Sequence, residues 1–128
     1  MSLQKYVLKF RENVIKDSKL PLENYKEHNA LVKKNNAIAD TVCKNNLKNE
    51  FFNALFSDSD LFVRLGAAIY SEIYEYDLKR SLEEFTSFIT IADSLSLDKN
   101  TQAGQYKYDI EEYAIKRIKQ KLAISQNQ

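Results

Sequence analysis

The chain has 128 residues and a mass of 14.9 kDa, with 44% hydrophobic and 29% charged residues and a formal net charge of +1; this fits one soluble globular domain with its own core. Two Gly and one Pro are too few for the turns of a β-sandwich or barrel, and Gly66 and Gly104 stand too far apart for a phosphate-cradling loop. A single Cys excludes a disulfide framework and a Cys-rich zinc site, and a single His excludes a multi-His metal centre.

Apolar spacing predicts helices almost throughout. Leu3, Val7, Phe10 and Val14 step by four, three and four, which is one helix face. Residues 18–21 read as a connection, and Pro21 suits the first turn of the next helix. That second helix is predicted over about residues 22–46, and a third over about 47–56 with Leu47, Phe51 and Leu55 on one face. Ser57-Asp58-Ser59-Asp60 offers capping side chains just before an apolar run, so a fourth helix follows over about 60–74. Unwrapped at about 100° per residue, its apolar positions from Phe62 to Tyr76 cover about 200° of arc. Arg64, Ala68, Ser71, Glu72 and Glu75 are left for the polar side. So wide a stripe predicts contact on two sides, with Gly66 allowing a neighbour to approach closely. Asp77 is expected to cap a fifth helix carrying Leu78, Leu82, Phe85, Ile89 and Ala92. Asp98 is expected to cap a sixth over about 99–122, with Tyr106, Ile110, Ala114 and Ile118 in one row. Residues 125–128 are expected to fray.

The stretch from Leu55 to Ala68, which contains Asp58, Asp60, Val63, Arg64 and the Ala67-Ala68 pair, resembles the second half of a HEAT-type repeat. In such repeats a leucine-rich helix ends in a Ser/Asp turn, and the next opens on Asp, then Val-Arg and an Ala pair. More narrowly, the chain is similar to a small bacterial family of uncharacterised HEAT-like proteins, some of them near toxin–immunity loci. The resemblance implies an αα superhelix, a structural role for Asp58, Asp60, Val63 and Arg64, and a protein-binding, immunity-type role. It also implies that Arg64 ties adjacent helices through an acidic partner. One copy of the motif is present, so the fold expected is all-α, about six antiparallel helices in a HEAT-like right-handed superhelix, with an irregular helical bundle as the alternative.

The small net charge conceals three blocks: residues 1–49 carry +5, residues 50–98 carry −7 and residues 99–128 carry +3. Either these segments face one another in the fold, or the acidic middle steers a basic partner. Glu72, Glu75, Tyr76 and Asp77 lie in that middle, and tyrosine offers broad contact with a polar tip, so these four are the candidate protein-binding residues. On the second helix, Lys26, Lys33, Lys44 and Lys48 fall within about 60° of one another. That stripe is the candidate site for an anion or an acidic partner. Without interleaved aromatics or arginines it argues against sequence-specific recognition of nucleic acid.

The apolar face of the second helix is interrupted by His28, Asn35 and Asn46 near its middle and by Asn29 and Asn36 at one edge. Polar groups aimed at a core need partners, so these residues either fix the packing register or line a polar pocket for a small ligand. No catalytic set is recognisable. His28 and Cys43 are fifteen residues apart, about 22 Å along one helix, and Glu83-Glu84 and Glu111-Glu112 diverge as helical neighbours do. No cofactor is implied. No apolar run approaches membrane-spanning length, residues 1–10 hold no signal-peptide core, and a lone Cys43 fits a reducing cytoplasm. The expected protein is a non-enzymatic binding module that engages another protein. An anion-binding module is the second option and a small-ligand sensor the third.

Overall fold

Helix boundaries in the computed structural model, which describes residues 2–126, follow from local chemistry at each end. Six helical rods form: α1 (Leu3–Ser18), α2 (Tyr25–Lys44), α3 (Lys48–Phe56), α4 (Leu61–Ile73), α5 (Leu78–Leu95) and a last rod. That last rod is α6 (Gln102–Asp109), a π-helical turn (Ile110–Ala114) and α7 (Ile115–Gln126). The all-α expectation holds, and there are no strands among the described residues.

The Ser57–Asp60 turn caps as its sequence suggests. Asp60 Oδ1 accepts from the Phe62 and Val63 amides at 2.8 and 3.0 Å, and Asp58 Oδ1 accepts from the Asp60 amide at 2.8 Å. Asp77 caps α5 by accepting from the Arg80 amide. Two other starts differ from expectation. Pro21 lies outside any helix, because Leu20–Leu22 pairs with the link before α6: the Leu22 amide donates to Asn100 O at 2.8 Å and the Gln102 amide to Leu20 O at 2.9 Å. Asp98 shapes that link by accepting from the Asn100 amide, and Thr101 is the actual cap of α6. Gly104 is required there, since a Cβ would come within 2.3 Å of Asp98 O.

Asn46 ends α2 and does not belong to it. It takes a left-handed φ of 60°, and the Leu47 amide donates back to Val42 O at 3.0 Å, the closing bond of a Schellman stop. Helix α7 continues to Gln126, so fraying does not begin at Ser125; Asn127 and Gln128 lie outside the described residues.

Helix α1 is the central strut. Phe10 is fully buried and meets Phe51 of α3 and Tyr70 of α4 edge-on, with ring centres 5.4 and 5.3 Å apart. Gly66 performs the role its position suggests: a Cβ there would lie 3.0 Å from Val14 Cγ2, so α4 runs directly against α1. The far side of α4 differs from expectation. Ala68, Ser71 and Glu72, assigned to a polar side, are all buried, because α5 packs over this side of α4 and the Arg117 and Lys121 side chains of α7 close on Glu72. Ser81 donates to Ala68 O at 2.9 Å, and the Ser71 hydroxyl both accepts from the Asp77 amide and donates to the Asp77 carbonyl. Ile73, assigned to the apolar arc, is 62% exposed. Helix α6 packs on α1, so the first and last hairpins meet.

Candidate functional site

The two helices that flank α1, α2 and α4, do not close on each other, and a cavity of about 250 Å³ lies between them. Helix α1 forms its floor through Asn13, Val14 and Asp17. Its walls are apolar, Leu31 and Val32 from α2 against Phe62, Leu65 and Ile69 from α4. The close approach at Gly66 brings α4 down onto α1, which leaves a slot above α1 wherever the α2 side chains are short or polar.

Both ends of the slot are polar. At one end Asp17, 5% exposed, receives two groups: His28 Nδ1 lies 2.6 Å from its Oδ1, and the Tyr106 hydroxyl donates to its Oδ2. Burial and this hydrogen bond hold the Tyr106 phenol well above the ordinary tyrosine range. His28 Nε2 makes no bond to the protein among the described residues. At the other end Tyr70 donates to Asn36 Oδ1 at 2.5 Å, spanning the gap from α4 to α2. Burial, then the neighbouring Tyr74 and Asp17, push the Tyr70 phenol up to about 12. Between the two ends, Asn13 Nδ2 donates to Asn35 Oδ1 at 2.9 Å, and Asn35 is itself 5% exposed. Eight residues separate His28 from Asn36, so the slot is about 12 Å long by helix rise.

The polar set expected on α2 is therefore brought together in part. His28, Asn35 and Asn36 line one cavity; Asn29 is exposed and outside it, and Asn46 lies in the turn beyond the helix. Three further members carried weaker signals. Asp17 continues the apolar row of α1, one step of three beyond Val14, where a carboxyl is out of place. Tyr106 stands first in its own row, and Asn13 neighbours Val14 with no periodic mark.

Of the four residues expected to face a protein partner, Glu72, Tyr76 and Asp77 make internal contacts, and Glu75 stays exposed. Glu72 is 3% exposed; Arg117 donates to both of its oxygens at 2.7 Å and Lys121 lies 3.0 Å away. Burial pushes this carboxyl up, but the Arg117 and Lys121 hydrogen bonds outweigh it and hold it below the ordinary glutamate value. Tyr76 is half-buried and stacks on Phe52 with ring centres 5.1 Å apart. Glu75 ends α4 in a left-handed conformation, φ 51°, and Asp77 is the α5 cap.

The lysine stripe is shorter than expected. Lys48 belongs to α3, beyond the left-handed Asn46, and sits 6.0 Å from the Tyr76 ring centre. Lys44 pairs with Asp40 at 2.9 Å, leaving Lys26 and Lys33 exposed on α2.

The Val-Arg motif is structural. Val63 is fully buried, Asp58 accepts from Arg11 Nε at 2.9 Å, and Arg64 donates to Asp58 O at 2.8 Å. The acidic partner of Arg64 is Glu84 of α5, at 3.4 Å. Among the described residues no three His, Cys, Asp or Glu side chains gather as a metal site, and no helix is long and apolar enough to cross a membrane. Compared with known protein families, with curated proteins and with solved structures, the chain finds no match.

Proposed function

We propose that this chain is a non-enzymatic binding protein and that the slot between α2 and α4 is its ligand site. One observation carries the reading: a cavity of about 250 Å³ has apolar walls and a few convergent polar groups, Asp17, His28 and Asn35 among them. That is the usual make-up of a small-ligand site, just below the usual size range of about 300–1,000 Å³. A packed register device would have closed on itself. Here the Asn13–Asn35 and Asp17–His28 pairs line the cavity instead.

Thermal shift and amide NMR with indole as the apolar probe test this. Indole is expected to raise the melting temperature saturably and to shift the Leu31, Val32 and Ile69 signals. Val32→Trp, which fills the slot, is expected to remove both effects. Indifference of the native protein to indole and its polar congeners overturns the reading.

A second reading is a protein-binding module, of the immunity type that the Val-Arg resemblance implies. It draws support from Tyr108 and Tyr113, 53% and 58% exposed, which pack edge-to-face on the last rod with ring centres 6.2 Å apart. Exposed aromatics of this kind are enriched at interfaces. Capture of an adjacent gene's product, weakened at least tenfold by Tyr113→Ser, is the result expected under it.

A further inference from the structure

We infer that the slot selects neutral ligands carrying a carboxamide or lactam group on an apolar body. This rests on the slot being a ligand site. The argument begins with the Asn13–Asn35 pair. One N–H of Asn13 donates to Asn35 Oδ1, and this is the only side-chain bond either residue makes among the described residues. Asn35 is 95% buried by its 5% exposure, yet its Nδ2 is not sealed in the protein, and both residues line the cavity. Two amides joined by one bond leave one wholly unengaged donor group, the Asn35 Nδ2 amino group, and one wholly unengaged acceptor, Asn13 Oδ1. Exchanging the orientation of both amides swaps these roles and still leaves one of each. The complement of an adjacent donor and acceptor is another amide, which supplies a C=O and an N–H side by side.

Charge points the same way. No lysine or arginine lines the slot, so a ligand anion would be desolvated against the Asp17 carboxyl with no fixed cation to meet it. Both Asp17 oxygens are already engaged, by His28 and by Tyr106, so a ligand ammonium would have to share an oxygen that already holds a partner. A neutral group leaves these pairs intact. The volume sets the body: a cavity of about 150 Å³ holds benzene, so about 250 Å³ suits a bicyclic ring bearing a short polar arm.

Three probes that share one ring system separate the possibilities: indole-3-acetamide, indole-3-acetate and tryptamine, titrated at neutral pH by NMR. The acetamide is expected to bind at least tenfold more tightly than either charged congener and to shift the Asn35 side-chain NH₂ pair. Asn35→Leu, or Asn13→Leu should the first variant not fold, is expected to abolish the preference while indole itself still binds. A charged congener that equals the amide, or a preference that survives both variants, overturns the amide assignment but leaves the ligand site standing. Failure of all three probes and of indole overturns the ligand site itself.

Discussion

Single residues set where the helices stop, and one of them does so at a cost. Glu75 takes a φ of 51° so that the Tyr76 amide can donate to Ser71 O at 2.9 Å and close α4. A side chain in that conformation costs about 1–2 kcal/mol, and glycine avoids most of it. Glu75 is exposed and makes no ion pair among the described residues, so its replacement loses nothing else. Glu75→Gly is expected to stabilise the protein by about 1 kcal/mol, read as a higher midpoint in urea with an unchanged slope. Asn46 occupies the matching position after α2; spacing placed it inside that helix, although asparagine tolerates the left-handed region more readily than glutamate. The Asp60 and Asp77 caps were legible for a local reason: the bonds they make reach only two or three residues ahead.

Between elements, the last rod is fastened to α4 by one carboxylate. Glu72 receives Arg117 through a two-pronged contact and Lys121 through a third bond, while both cations remain partly exposed. Glu72→Gln is expected to cost about 1–3 kcal/mol and to loosen α7 first, seen as faster amide exchange from Ile115 onward than in α1. The row of spacings in each helix was enough to predict the rods and the core positions of Phe10, Phe51 and Phe85, though not of Phe52 or Phe88. It could not predict this fastening, because the partners are 45 residues apart and each looked like ordinary surface charge. The same distance hid the slot's polar end: Asp17 and Tyr106 are 89 residues apart, and only the tertiary fold brings them to His28. What was legible was the anomaly on α2, polar residues on an apolar face, without the partners that explain it.

Across the whole molecule the three charge blocks face one another. Arg11 of the basic start meets Asp58, and Lys107, Arg117 and Lys121 of the basic end meet Asp93 and Glu72 of the acidic middle. Acid should therefore undo the structure. The Glu72 value is lower in the fold than its ordinary 4.5, so its contribution is complete above about pH 4.5 and is lost as pH falls through the lowered value. The native protein is expected to lose stability steeply below that pH. Glu72→Gln, already without this contribution, should show a flatter acid limb when midpoints in urea are compared from pH 7 down to pH 3.

The π-helical turn at Ile110–Ala114 makes the last rod unusually editable. Tyr106, Ile110, Ala114 and Ile118 are separated by three successive steps of four. On a regular α-helix each such step overshoots a full turn by about 40°, so the row would wind off the core. The Ile115 amide instead donates to Ile110 O, a wider turn that takes up an added residue and winds the row back, and Ile110, Ala114 and Ile118 all stay buried. Removing one exposed residue from that turn converts the spacing to four, three and four, which an ordinary helix accommodates. Deletion of Glu112 is thus expected to leave a cooperatively folded protein with unchanged helical circular dichroism. Deletion of Thr86, equally exposed but in the regular α5, should shift Phe88 and Ala92 off the core and unfold it.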